Sequence, residues 1–103
     1  MKTIQATLSK NKLQHAARLL KVMAHPVKLE VLQLLGTNPP MDVTTLCDRI
    51  GNNCEISMMS HHLSKMRDNG ILVSEKKGKQ VFYTIADRSL MKLIDCLNQC
   101  DLL

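Results

Sequence analysis

Ser60 to Ile85 reads S-H-H-L-S-K-M-R-D-N-G-I-L-V-S-E-K-K-G-K-Q-V-F-Y-T-I, and the order of residue types in it decides the fold. A helix bearing Ser60, His61, His62, Lys65 and Arg67 stops at Asn69-Gly70, a frequent C-terminal ending because glycine accepts a left-handed backbone. Two apolar runs follow, Ile71-Leu72-Val73 and Val81-Phe82-Tyr83. Between them Lys76-Lys77-Gly78-Lys79 supplies a glycine turn with three lysines. The reading is therefore a polar-faced helix followed by a basic antiparallel hairpin.

A helix and hairpin so joined have the layout of a winged helix-turn-helix. Such a unit lays its helix in the major groove of double-stranded DNA and sets the hairpin against the backbone. Outward on the helix stand Ser57, Met58, Ser60 and His61, the candidates for base or phosphate contact, with Lys65 in reach of a phosphate. At the hairpin the candidates are Lys76, Lys77, Lys79 and Gln80. The bland alternative is a solvated helix face and a soluble hairpin tip.

At 103 residues the chain is read as one domain, residues 1–103, with a core too small to be generous. Phe82 and Tyr83 are its only aromatics, so aliphatics and methionine must fill that core. A small helical domain often gains burial by pairing, which makes a homodimer the expectation. The formal charge is +5, from 14 basic and 9 acidic residues, which favours a polyanionic partner. No apolar run is long enough to span a bilayer and no signal peptide is visible, so a cytoplasmic protein without membrane contact is expected. Four cysteines in that compartment should be reduced at rest. No catalytic histidine motif or glycine-rich phosphate loop is present, so an enzyme is not expected.

Along the chain, Leu8, Leu13, Ala16, Ala17, Leu19, Leu20 and Met23 fit a first amphipathic helix. Pro26 suits the first turn of a second helix that is apolar nearly all round and belongs in the core. Gly36 to Pro40 reads as a turn. Asp42 caps a short third helix, 43–50, closed by Gly51. The fourth helix spans about 55–69, with Met59, Leu63 and Met66 inward, and the hairpin about 71–85. Asp87 caps a last helix through Leu90, Leu93, Ile94, Leu97 and Cys100. The fold class is mainly α, about five helices plus a two-stranded wing.

Three stretches resemble the ArsR/SmtB winged-helix repressors, and together they cover most of the chain. They are Leu19 to Leu35, at the junction of the first two helices; Met59 to Val73; and Gly78 to Ile85, the returning wing strand. The resemblance implies a homodimer joined by the first and last helices, about 5–23 and 87–102. It implies a promoter repressed until an inducer weakens DNA binding. Lys28 stands where that family usually has arginine, and the turn at Asn52-Asn53 is about two residues longer. Of the family's cysteine-rich ligand word only Cys47 is kept, with Asp42 and Thr44 at other ligand positions. Of its site across the last helices Asp87 survives, Ser89 and Cys100 fall at the histidines, and Leu103 replaces the glutamate.

The cysteines are the candidate response element. Cys96 and Cys100 are one helical turn apart, and two such thiolates suit a soft ion (zinc, cadmium, Cu(I)) or trivalent arsenic, or an oxidant through a bond between protomers. Cys47 and Cys54 flank a turn and can approach each other; they are the second choice. The alternative keeps all four as small apolar fillers in a constitutive architectural DNA-binding or protein-interaction module.

Overall fold

The computed structural model describes residues 7–103. Helix α1, Lys10–Met23, starts where the Ser9 hydroxyl accepts the Lys12 N–H at 3.2 Å. The expected start near residue 5 lies outside the described residues, and Leu8 precedes the helix. Helix α2, Pro26–Thr37, is capped by His25, whose Nδ1 accepts the Val27 N–H at 3.1 Å. Proline follows at the first position, where no donor is needed. Helix α3, Val43–Ile50, opens on Asp42 and closes on Gly51. Helix α4, Ile56–Asp68, and the strands β1, Leu72–Lys77, and β2, Gln80–Ile85, complete the central unit. A 3-10 turn, Arg88–Leu90, capped by Asp87, leads into α5, Met91–Asn98.

Burial explains the layering. Val31, Leu32 and Leu35 of α2 are wholly buried among Leu46, Met59, Leu63, Met66, Ile71 and Leu72. Each buried aliphatic or methionine side chain is worth about 1.5–3 kcal/mol of transfer energy. The strands pair antiparallel with Leu72 opposite Ile85 and Lys77 opposite Gln80. That register leaves Gly78 and Lys79 as a two-residue loop, and Gly78 has φ 64°, the positive value such tight hairpins require. Met41 exchanges both backbone hydrogen bonds with Tyr83, at 3.2 and 2.8 Å, so the segment before α3 pairs with β2 on its other side.

Two expectations need correction. Gly36 is not a turn residue: α2 continues through it to Thr37. A Cβ at Gly36 would land on the Met91 thioether, so glycine there leaves room for that side chain as α5 packs on α2. Arg88 then closes the helix end by donating to the Gly36 carbonyl at 2.7 Å. The last helix is also shorter than 87–102. It ends at Asn98, and Asp87 caps the preceding 3-10 turn through the Ser89 N–H at 2.9 Å.

Asp42 joins the helical part to the wing. Its Oδ1 accepts the Thr45 N–H at 2.9 Å, and its Oδ2 accepts the Gln80 amide at 2.8 Å. The Thr45 bonds, foremost, and the Gln80 bond hold the carboxyl below its ordinary pKa, against the opposing effect of burial. Asp42→Ala removes a helix cap and a strand anchor together. It should lower stability by about 1–2 kcal/mol, read as a shifted denaturant midpoint at unchanged slope.

Candidate nucleic-acid interface and cysteine pair

Helix α4 separates its residues as a groove-reading helix must. Met59, His62, Leu63 and Met66 are buried. Ser57, Met58, His61 and Lys65 are exposed, and Ser60 is half-buried. The adjacent histidines thus take opposite environments: His61 faces solvent and His62 is only 8% exposed. The α4 N-cap, Glu55, makes no side-chain cap bond, so the N–H groups of the first turn have no side-chain acceptor. Such an end, with the positive pole of the peptide dipoles, suits an anion.

The wing presents Lys76, Lys77 and Lys79 to solvent. Lys77 lies 3.8 Å from Glu75, an exposed pair worth little in water. Gln80 is differently employed: its amide nitrogen donates to Asp42, so it anchors the wing instead of extending from it. Beside α4, Lys28 is buried along its stem, and that burial, with Lys65 nearby, lowers its pKa. Its burial was not expected for a residue singled out only as a replacement for arginine.

The cysteines divide in a way the sequence left open. Cys47, in the last turn of α3, is bonded to Cys54, with 5.4 Å between their Cα atoms. The structure thus shows this pair bonded where four free thiols were expected. Between them Gly51, Asn52 and Asn53 all have positive φ, 68°, 53° and 59°. Gly51 combines this with ψ −149°, a region essentially reserved for glycine. Asparagine is the residue type that best tolerates positive φ after glycine. Cys96 is exposed and Cys100 half-buried, and neither is bonded. Because α5 ends at Asn98, Cys100 lies just beyond the helix, in a turn where its N–H donates to the Leu97 carbonyl at 3.2 Å. Among the described residues no three His, Cys, Asp or Glu side chains form a metal-holding group.

Helix, turn and helix followed by a two-stranded basic wing define a winged helix-turn-helix DNA-binding domain. A family described as a helix-turn-helix domain matches residues 23–75, just over half of the chain. The HTH-type transcriptional regulator YgaV of Escherichia coli (strain K12) is 32% identical over 84 residues, covering 82% of this chain and 83% of that protein. The solved HlyU of Vibrio cholerae N16961 superposes with a TM-score of 0.76 at 29% identity, over 93% of this chain and all of that one. The transcriptional repressor PagR of Bacillus anthracis gives a TM-score of 0.75 at 30% identity, over 87% of this chain and 100% of its own. The chain belongs to the ArsR/SmtB family of transcriptional regulators. It is a sequence-specific DNA-binding regulator and not an enzyme.

His62 gives this site a pH dependence. Its ring packs on His25 with centroids 4.5 Å apart, and its Nδ1 is buried without a hydrogen-bond partner. Burial first, then His25, Lys28 and His61, pushes its pKa below the ordinary 6.5. As pH falls through about 6.5 the unfolded chain takes up a proton that the folded chain still refuses, so stability declines below that pH and is greatest above it. Thermal melts should show a lower midpoint at pH 5.5 than at pH 7.5 (about one unit either side of the unperturbed value). His62→Leu should flatten that difference.

Proposed function

We propose that the chain is a homodimeric repressor that binds an inverted-repeat operator and is released by a thiol-directed inducer. The observation that carries the DNA reading is the exposed face of α4, with its uncapped N-terminus, flanked by the wing lysines. Ser57, Ser60 and His61 contact base edges or nearby phosphates, and the exposed Met58 offers an apolar contact of the kind a thymine methyl accepts. Lys65, Lys76, Lys77 and Lys79 neutralise phosphates, which position the domain without reading sequence.

The dimer follows from apolar surface left uncovered. Leu13 and Leu20, two turns apart on α1, are 53% and 51% exposed. Helix α5 has no buried residue, and its Met91, Ile94 and Leu97 line a groove of about 970 Å³ against α2. A second copy crossing through α1 and α5 covers both surfaces. A two-fold dimer then presents two α4 helices to half-sites about 34 Å apart. Occupancy of a promoter by such a dimer represses without any further contact. The cysteines carry the inducer response, toward a soft ion, trivalent arsenic or an oxidant.

Two experiments test this reading. Leu13→Glu with Leu20→Glu should convert the dimer to monomer in sedimentation and weaken operator binding at least tenfold, since one half-site contact is lost. Lys77→Ala with Lys79→Ala should weaken binding on every sequence and reduce the slope of log affinity against log salt by about 0.9 per phosphate contact. An unchanged slope refutes wing contact, and footprinting that protects one unpaired half-site refutes the symmetric dimer.

A further inference from the structure

We propose that Cys47 and Cys54 are a thiol–disulfide modification site for hydroperoxides, and that closing the bond lowers DNA affinity by fixing the turn between α3 and α4. This deepens the repressor reading and rests on it, because it locates the thiol response at the helix-turn-helix itself.

The two sulfurs are unequal, as a reacting and a resolving thiol must be. Cys47 is 6% exposed and packs in the core. Cys54 is half-buried and lines an open cavity of about 410 Å³ with His25, Asn53, Glu55, Met58 and His62. A small oxidant in that cavity meets Cys54 first. Cys54 also stands one residue before the N-cap of α4, so a change at its sulfur acts on the segment that enters that helix.

The chemistry balances with a hydroperoxide as the sole oxidant. The Cys54 thiolate attacks the outer oxygen of the hydroperoxide. The O–O bond breaks, the alkoxide leaves and is protonated to the alcohol, and Cys54 becomes a sulfenic acid. The Cys47 thiolate then attacks the Cys54 sulfur. The S–S bond forms, the S–O bond breaks, and hydroxide departs as water with the proton given up by Cys47. Two thiols and one hydroperoxide yield one disulfide, one alcohol and one water. A dithiol reductant reverses the closure by attacking the more accessible sulfur of Cys54, releasing Cys47 as thiolate.

The bond spans the three positive-φ residues, Gly51, Asn52 and Asn53, and nothing else but its own two ends and α3's final turn. Closing it pins the segment that enters α4. The N-terminal end of α4, with Ser57 and His61, then loses the freedom to settle into the groove. Opening it restores that freedom while Met59, Leu63 and Met66 keep the helix in the core.

The test uses the full chain and an operator duplex obtained by selection from random sequence. Fluorescence anisotropy compares protein reduced with dithiothreitol and protein treated with tert-butyl hydroperoxide, with peptide mass mapping of both. The expected result is a tenfold or greater loss of affinity on oxidation and recovery on reduction. It should coincide with a loss of two hydrogens in the Cys47–Cys54 peptide. Cys54→Ser and Cys47→Ala, each checked for folding by thermal melt, should bind as the reduced protein does under both conditions. Cys96→Ser with Cys100→Ser should still respond. Equal affinity of the two forms with the bond confirmed overturns the proposal, as does a response that survives Cys54→Ser or disappears with Cys96 and Cys100. Should neither form bind any duplex, the repressor reading fails and the coupling with it, while mass mapping still separates the chemistry. Bond formation at Cys47–Cys54 then supports the modification site, and its absence overturns that too.

Discussion

The whole molecule hangs on the burial of α2. It is apolar almost all round, and β2, α3, α4 and α5 each take part of its surface. A core whose one aromatic ring is Tyr83 cannot rely on large rings, so α2 supplies aliphatic bulk and methionines fill the irregular spaces around it. Both ends of so central a helix are closed by side chains. Pro26 and His25 serve one end, and Asn38 and Arg88 donate to carbonyls at the other.

From that axis the reading head is placed by two kinds of fixture. The apolar side of α4 locks its rotation, so Met59, Leu63 and Met66 decide which side chains face outward. Asp42 and the Met41–Tyr83 backbone pair decide where the wing lies relative to α3. Leu46 and Cys47 tie α3 into the same core as α4, and the Cys47–Cys54 bond adds a covalent link between the end of α3 and the turn that enters α4.

Sequence patterning carried the fold a long way for identifiable reasons. Helix α3 was legible to its ends because Asp42 and Gly51 are strong local stops, and the wing because Gly78 separates two apolar runs. Where long-range packing decides, pattern misled. Gly36 looked like a breaker, yet the demand is for a missing side chain opposite Met91. The apolar repeat through Leu97 and Cys100 looked like continuous helix, yet helices this short draw stability from packing, and α5 buries no residue fully in the single chain. The outward face of α4 followed from periodicity, but the partnership of His62 with His25 joins residues far apart in the chain. Gln80 looked like a free polar tip because its partner, Asp42, lies 38 positions earlier. The bonding of Cys47 to Cys54 depends on three successive positive-φ residues, a backbone path that residue types alone permit without requiring.

The wing has a further consequence. Strand β2 is paired on both sides, by β1 and by Met41, whereas among the described residues β1 is paired with β2 alone. Its other edge is a row of backbone donors and acceptors open to any extended chain, with Val73 49% exposed beside it. Glu75, Lys76 and Lys77 stand along that edge, and charges of this kind keep strands from adding to one another. The same charges that suit the tip to a polyanion also guard the open edge of β1, so replacing them with apolar residues would expose that edge to strand addition from a second chain.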